Sequence, residues 1–433
     1  MNVPVLSLIL LVIAVLISCF TPLNIGALAV GFSLIIGYVG NVKVGDIVKG
    51  YPANLLLLLA GTTYLFSIAQ TNGTLDKVAR YAVKMVRGRA ALLPIVLFFL
   101  AFGLSAMGPG QITISALLAP ISMMLAAEVG ISPLLMALVV GNGAQAGAMS
   151  PLAPPGIISA NLLAKQGLTG VGGVLWLNML IVHVAVTVLA YFLFGGLKLW
   201  KEESSTQAES LKKMQVEPFD RAQIATLAGI GLLVAAALFF TLAPLASPAL
   251  KKLPEFHIGL GAFLIGAMLS LGKVVDEPKA IKAMPWATIL MVTGVTVLVE
   301  LMKNVGGIDL FARLIAKMST PGTVTLVAGF WSGLVSAYAS TTGVILPAFL
   351  PMASPLLKEL GGGNLLALVS SIIVCGFVVD LSPLSTTGAV FIANAQPTHD
   401  KNKLFRDMLI WGFSMAVVGA VVSWLAFTVL GLP

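Results

Sequence analysis

Two short stretches decide the fold: SPLAPPG at residues 150–156 and SPLSTTG at residues 382–388, which begin 232 residues apart. Each places proline and glycine inside an apolar run that would otherwise form one continuous membrane helix. A helix broken in this way has backbone N–H and C=O groups without partners, and lipid supplies none. Such groups persist only against protein, water, an ion or a substrate. A break repeated at matching points of two halves therefore predicts the binding site of a membrane transporter.

The composition excludes a soluble protein. The chain has 433 residues, of which 58% are hydrophobic and 10% charged, and its mean hydropathy is +1.02. Apolar stretches of about 20 residues, the length that crosses a bilayer, recur from end to end. No P-loop, nucleotide fingerprint, metal cluster or nucleophile–base pattern is present, so we predict neither an enzyme nor a cofactor. The net charge of +8 follows membrane topology, and we predict no nucleic-acid partner.

The apolar pattern predicts an all-α polytopic membrane protein. Two apolar regions, 91–126 and 320–357, are too long for one helix and carry small polar residues in the middle, which predicts re-entrant helical hairpins. The predicted spans are 3–20, 22–40, 53–71, 133–166 (broken), 173–197, 222–243, 256–273, 286–303, 364–396 (broken) and 405–430.

The chain also repeats itself. Ten residues between positions 52 and 85 recur at an offset of 233 residues, between positions 285 and 318. Each repeat holds five spans and one hairpin, and since five is odd, the second copy is predicted to be inverted. Most of the 25 Lys and Arg residues become cytoplasmic if both termini lie outside. The predicted location is the inner (plasma) membrane, with many passes through the bilayer.

Asp380 is the most informative single residue, because an ionisable group inside a broken span is costly and indicates function. It is the candidate ligand for Na⁺ or carrier of a proton, and the alternative is a carboxylate that caps the following half-helix. The matching position in the first repeat is Ala148. The predicted ion-coupling residues are Gly108, Gly110, Ser150, Ser340, Asp380 and Ser382.

Small polar residues collect at both hairpin tips and both breaks, where hydroxyls, amides and helix N-termini suit an anion. Simple helix packing is the alternative for any one of these hydroxyls. No Lys or Arg lies between positions 90 and 164 or between 322 and 357, so a bound cation is expected to supply the positive field. The predicted substrate-binding residues are Gln111, Thr113, Asn142, Gln145, Ser150, Ser340, Thr341, Thr342, Ser385, Thr386 and Thr387.

Four runs carry a resemblance to a known family: NGTLD at 72–76, VRGR at 86–89, GISPLLM at 130–136 and GAQAG at 143–147. Over roughly residues 1–165 the chain resembles the malonate/dicarboxylate carrier (MatC-like) family. That family is similar to the divalent-anion:sodium symporters of the ion transporter superfamily. The resemblance implies homodimers, a scaffold domain and a transport domain that moves like an elevator.

Placed on this chain, the resemblance implies scaffold parts at 1–90 and 222–318 and transport parts at 91–200 and 319–433. A cytoplasmic linker at 201–221 joins the repeats. The symporters carry Ser-Asn-Thr at each hairpin tip. Here the second tip reads Ser340-Thr341-Thr342, and the first is a Gly-Pro-Gly-Gln run at 108–111.

These observations predict a secondary transporter for small dicarboxylates, such as malonate or a C4 acid, driven by Na⁺ or H⁺. Two alternatives remain open at this point. A cation/proton antiporter would use Asp380 as its exchanging carboxylate. A permease subunit would work with a soluble binding protein.

Overall fold

The computed structural model describes residues 2–21, 23–86, 89–201, 216–246 and 256–432, and throughout these ranges the chain forms helices, turns and loops without a strand. Most of the predicted linker, 202–215, lies outside the described residues. The helices are α1 Val3–Phe20, α2 Ile25–Val39, α3 Val44–Lys49, α4 Ala53–Thr71, α5 Thr74–Met85, α6 Leu93–Ala106, α7 Gly110–Glu128, α8 Pro133–Gly147, α9 Pro154–Ala164, α10 Gly172–Leu193, α11 Lys198–Lys201, α12 Arg221–Ala246, α13 Ile258–Leu271, α14 Glu277–Ala283, α15 Trp286–Asn304, α16 Gly307–Ala316, α17 Val324–Ser336, α18 Leu346–Phe349, α19 Ala353–Glu359, α20 Leu365–Val379, α21 Thr386–Ala393 and α22 Lys401–Ser423.

Five of these helices are long and apolar enough to cross a membrane. They are Ala53–Thr71, Gly110–Glu128, Gly172–Leu193, Trp286–Asn304 and the last helix, which continues to Val429. Seven shorter apolar helices of 10–17 residues accompany them. The all-helical membrane class is thereby confirmed. The second arm of the first hairpin, α7, has 19 residues and is as long as α4 and α15, although it contains a proline.

Both predicted helix breaks are present, and the repeated Ser-Pro-Leu motif with its glycine explains them. At the first break, one half-helix ends at Gly147 and the next begins at Pro154. At the second break, the corresponding residues are Val379 and Thr386. A Cβ on Gly156 would collide with the carbonyl oxygen of Ser150, and a Cβ on Gly388 would collide with that of Ser382. The glycine is therefore required because the second half-helix starts directly against the chain that leaves the first.

Both hairpins are present as well. In the first, α6 and α7 are joined by a three-residue tip, 107–109. In the second, α17 ends at Ser336, and the returning arm starts with a π-helical turn, Thr341–Ile345. The Ser340 side chain accepts a hydrogen bond of 3.3 Å from the Gly343 amide, which caps that turn. A π-helical turn inside a membrane hairpin is uncommon and is frequent at functional sites.

Two close crossings join α2 to α15 and α4 to α13. α2 crosses α15 at Gly26 and Gly294, and α13 crosses α4 at Gly259 and Gly61. A Cβ at any of the four would collide with the backbone of the opposing helix. Glycine is needed here because only small residues let membrane helices approach this closely. Gly259 and Gly294 each stand 233 residues after Gly26 and Gly61, so the two crossings are equivalent under the offset seen in the sequence.

Candidate functional site

Asp380 lies at the end of α20, where the second broken helix opens, and it is fully buried. Its Oδ2 accepts hydrogen bonds from the hydroxyl of Thr387 at 3.2 Å and from Nε2 of Gln145 at 3.4 Å. Thr387 comes from the second half of the same broken helix, and Gln145 from the first broken helix. The two breaks therefore meet at this carboxyl group.

Two oxygen atoms of this cluster have no hydrogen-bond partner among the described residues: Oδ1 of Asp380 and Oε1 of Gln145. The capping alternative is also answered here, because Ser385, not the Asp380 carboxyl group, accepts the hydrogen bond from the Gly388 amide that caps α21. The Ser385 hydroxyl in turn donates to the backbone carbonyl of Asp380 at 2.6 Å. A buried carboxylate without a cationic partner is strongly disfavoured. Oxygen atoms are the ligands that hard cations prefer, and the Asp380 carboxyl group can also carry a proton.

The two hairpin tips touch each other beside this cluster. Nε2 of Gln111, from the first tip, donates a hydrogen bond of 2.6 Å to Oγ1 of Thr342 in the second. The neighbouring Thr341 hydroxyl donates to the carbonyl of Gly376 at 3.0 Å, one turn before Asp380 along α20. All three side chains of this contact are at most 1% exposed. The tips and the breaks thus form one continuous polar region.

A small cavity of about 20 Å³ lies where the tips meet α4 and α15. Its walls include Gln111, Thr113 and Thr342 from the tips, with Thr63 of α4 and Thr288 of α15 opposite. No Lys, Arg, Asp or Glu is among the residues that line it. A cavity of this size holds about one water molecule and is too small for a dicarboxylate.

The remaining predicted residues divide into those that shape the backbone and those that lie elsewhere. Ser150 donates to the carbonyl of Ala106 at 2.6 Å and so ties the first break to the first hairpin tip. Ser382 accepts from the Leu384 amide at 3.4 Å, within its own turn. Gly108 packs against the ring of Phe66, and Gly110 packs against Pro154; both glycines have positive φ.

Two predicted residues are not brought to the cleft. Thr386 is exposed, although its neighbours Ser385 and Thr387 are buried. Asn142 donates to the carbonyl of Leu138 and contacts Nδ1 of His183 at 2.8 Å, which fixes it inside the bundle of α8 and α10. The sequence did not predict the contact with His183, because the position of Asn142 one turn before Gln145 on α8 does not determine which side chain its amide will contact.

Sequence reasoning missed two contributions. Thr288 and the Pro154-Pro155 pair line the cavity without having been assigned to it. The prolines had a usable signal, since they follow the first break directly. Ser336 was not assigned to the site, yet its hydroxyl forms hydrogen bonds with the Thr341 hydroxyl at 2.7 Å and the Gly376 carbonyl at 2.8 Å. It therefore holds the second tip on α20.

Comparison with known proteins places this architecture among membrane carriers. Residues 1–148 match the family described as "Dicarboxylate carrier protein MatC N-terminus", and residues 254–432 match the family described as "Citrate transporter". No curated protein matches the chain. The crystal structure of the Alcanivorax borkumensis YdaH transporter matches with a TM-score of 0.54 at 16% identity, over 89% of this chain and 88% of that one. At that identity the likeness shows the fold alone.

The resemblance read from the sequence is therefore confirmed over the N-terminal part, and the C-terminal part adds a second transporter family. The chain is a membrane carrier and not an enzyme.

Proposed function

We propose that this carrier moves a small dicarboxylate across the inner membrane together with a cation, which is Na⁺ or, as the alternative, H⁺. One observation carries the proposal: the hydrogen bond between Gln111 and Thr342 closes two hairpin tips over a buried, unneutralised Asp380. Both matching families are described as carboxylate carriers, which supports a carboxylate as the substrate class.

Ion coupling follows from the charges. The described lining of the cleft offers hydroxyls, amides and backbone but no cationic side chain. A dicarboxylate that entered this cleft alone would lose its hydration without gaining a counter-charge, at a cost of several kcal/mol per ion. A cation held by Asp380 and Gln145 neutralises the Asp380 carboxylate, so the bound dicarboxylate is not repelled by a buried negative charge. Substrate and cation therefore favour each other's binding, which is the requirement for symport.

Movement follows from the volume of the cleft. Since about 20 Å³ cannot hold the substrate, the tips and broken helices are proposed to move as one body against the scaffold. The proposed scaffold is 1–90 with 222–318, and the proposed transport body is 91–200 with 319–433. In this scheme each chain holds two inverted repeats, two chains form a homodimer, and alternating access comes from an elevator motion.

The direct test is uptake of labelled malonate and succinate into proteoliposomes of the purified full chain. A Na⁺ gradient and a pH gradient are imposed separately, with the membrane potential clamped. We expect uptake of at least one acid under one of the gradients and none when both are absent. Failure of both acids under either gradient, in protein that remains folded, would overturn the dicarboxylate proposal.

A second candidate, a cation/proton antiporter, is favoured by one specific observation: Asp380 is buried, bears a free oxygen, and needs no organic anion to bind a cation. The antiporter predicts that cation flux, followed with a pH-sensitive dye inside the vesicles, proceeds with no carboxylate present. The symporter predicts that this flux appears only when the acid is added.

A further inference from the structure

A groove unrelated to the polar cleft runs between the end of α10 and the first half of α22. It encloses about 580 Å³. Its floor is formed by the buried side chains of Leu134, Trp411 and Met415, and its exposed walls by Leu193 and Ile410, which are 62% and 59% exposed. The volume falls in the range of sites that bind small organic molecules. The groove is therefore a cavity with a shaped apolar floor, larger than the gaps between ordinary packed helices.

The mouth of this groove is charged. Lys403 and Asp407 line it, on the first two turns of α22. Asp407 is shared, because Lys403 Nζ and Arg406 Nε both lie 3.5 Å from its carboxylate oxygens. Two cations against one carboxylate leave a positive charge at the mouth. The side chains of Lys403 and Arg406 are 65% and 66% exposed, so they are free to meet an anionic group.

The length of the groove matches a lipid chain. From Lys403 to Met415 the helix advances twelve residues, or about 18 Å at 1.5 Å per residue. That is a little over half of the ~30 Å hydrocarbon core, the depth that one leaflet's acyl chain occupies. The charged mouth therefore matches the headgroup of a phospholipid, and the apolar interior matches its acyl chain.

Aromatic rings close the floor of the groove. Trp411 is 5% exposed, and its ring packs edge-on against Phe194, which also lines the groove, at a centroid distance of 5.5 Å. The Nε1–H of Trp411 is itself buried and has no acceptor among the described residues, so it does not open onto the groove. A bound acyl chain therefore meets an apolar aromatic surface at this depth.

We propose that this groove binds one anionic phospholipid from the bilayer. Its phosphate lies at Lys403 and Arg406, and one acyl chain lies along Leu193, Ile410 and Met415. The proposal does not depend on the transported substrate. Because α10 and α22 flank the broken helices, occupancy of the groove would brace the part of the molecule that carries Asp380.

The test is native mass spectrometry of the full chain in detergent, titrated with phosphatidylglycerol or phosphatidylcholine of identical acyl chains. We expect one phosphatidylglycerol to be retained per chain, more tightly than phosphatidylcholine. Each cation near a membrane surface contributes about 1 kcal/mol to such binding, which is roughly a fivefold effect. The double variant K403A/R406A should therefore lose about 25-fold in affinity for phosphatidylglycerol and little for phosphatidylcholine.

Trp411→Phe keeps an aromatic side chain but replaces the indole with a smaller ring, so it should weaken both lipids equally by reducing the apolar surface of the floor. The double variant K279A/K282A, which removes two exposed cations from α14, serves as the matched control and should bind like the unaltered protein. Equal retention of the two lipids would overturn the proposal, as would a K403A/R406A variant that keeps the preference. Binding of many lipids without one saturable site would indicate an ordinary lipid annulus and would overturn it too.

Discussion

Replacing Asp380 with Asn isolates the charge from the shape of the site. The amide has nearly the same volume, and its oxygen still accepts from Thr387 as the carboxylate does at 3.2 Å. Its oxygen can also keep the hydrogen bond from Nε2 of Gln145, and its new N–H₂ group takes the place of Oδ1, which has no partner among the described residues. The variant therefore removes one negative charge and keeps both hydrogen bonds that Oδ2 accepts. We expect its unfolding temperature to equal or exceed that of the unaltered protein, because a buried carboxylate without a counter-charge is replaced by a neutral group.

Cation binding, in contrast, should be weaker in the Asp380→Asn variant. Breaking a buried charge pair costs about 3–5 kcal/mol, and 3 kcal/mol already lowers a binding constant more than 100-fold. The cation concentration for half-maximal uptake should therefore rise at least 100-fold. The assay is the initial rate of labelled dicarboxylate uptake into proteoliposomes across a series of external Na⁺ concentrations, repeated across a series of external pH values.

Asp400→Asn is the matched control. Asp400 accepts a hydrogen bond of 2.9 Å from the Lys403 amide as the N-cap of α22, and asparagine caps a helix equally well. The control should transport with unchanged ion dependence. If the Asp380→Asn protein is folded and keeps the cation and pH dependence of the unaltered carrier, the role assigned to this carboxyl group is wrong.

Three further changes test other parts of the argument. Thr342→Val leaves a buried amide N–H without its acceptor, which costs about 1–3 kcal/mol; uptake at limiting substrate should fall at least fivefold, and Thr342→Ser should restore it. Glu300→Lys replaces the 2.9 Å ion pair with Lys165, the residue after α9, by two like charges and should slow uptake. The added exchange Lys165→Glu should bring the rate back to within about fivefold, since half-exposed pairs contribute under about 1 kcal/mol. Gly61→Leu should lower the unfolding temperature in detergent through overpacking of about 1–3 kcal/mol or more. Gly31→Ala, which meets nothing within 4 Å, should not.

The sequence predicted the positions of the breaks and hairpins closely. The first broken span was expected at 133–166, and its two halves occupy Pro133–Gly147 and Pro154–Ala164. The reason is physical: proline at a helix start, a serine cap and a glycine that must approach a carbonyl are all local requirements. Such requirements depend only on neighbouring residues, so they can be predicted from the sequence without knowing the fold.

The hydrogen-bond partners of the polar side chains could not be predicted from the sequence. Gln111 and Thr342 stand 231 residues apart, and nothing in either stretch specifies the other. Asn142 and Gln145 share one helix and one residue class, yet one bonds His183 and the other Asp380. The choice depends on the rotation of α8 against α10 and α20, which is set by packing across the whole bundle. Thr386 is exposed for the same reason, between two buried neighbours.

The packing itself supports our proposal on where the carrier moves. At the crossings of α2 with α15 and of α13 with α4, glycine brings backbone against backbone, and sliding there would drive side chains into main chain. Across the proposed boundary, in contrast, the polar contacts on the described residues of α9 and on Lys165, which follows it, are the half-exposed pair of Lys165 with Glu300 and a 3.4 Å contact between Asn54 and Asn161. Such contacts break at little cost, since water replaces each partner. Backbone contacts within the proposed scaffold and replaceable contacts at its boundary therefore support our proposal that displacement occurs at the tips, where the cavity of about 20 Å³ is too small for a dicarboxylate.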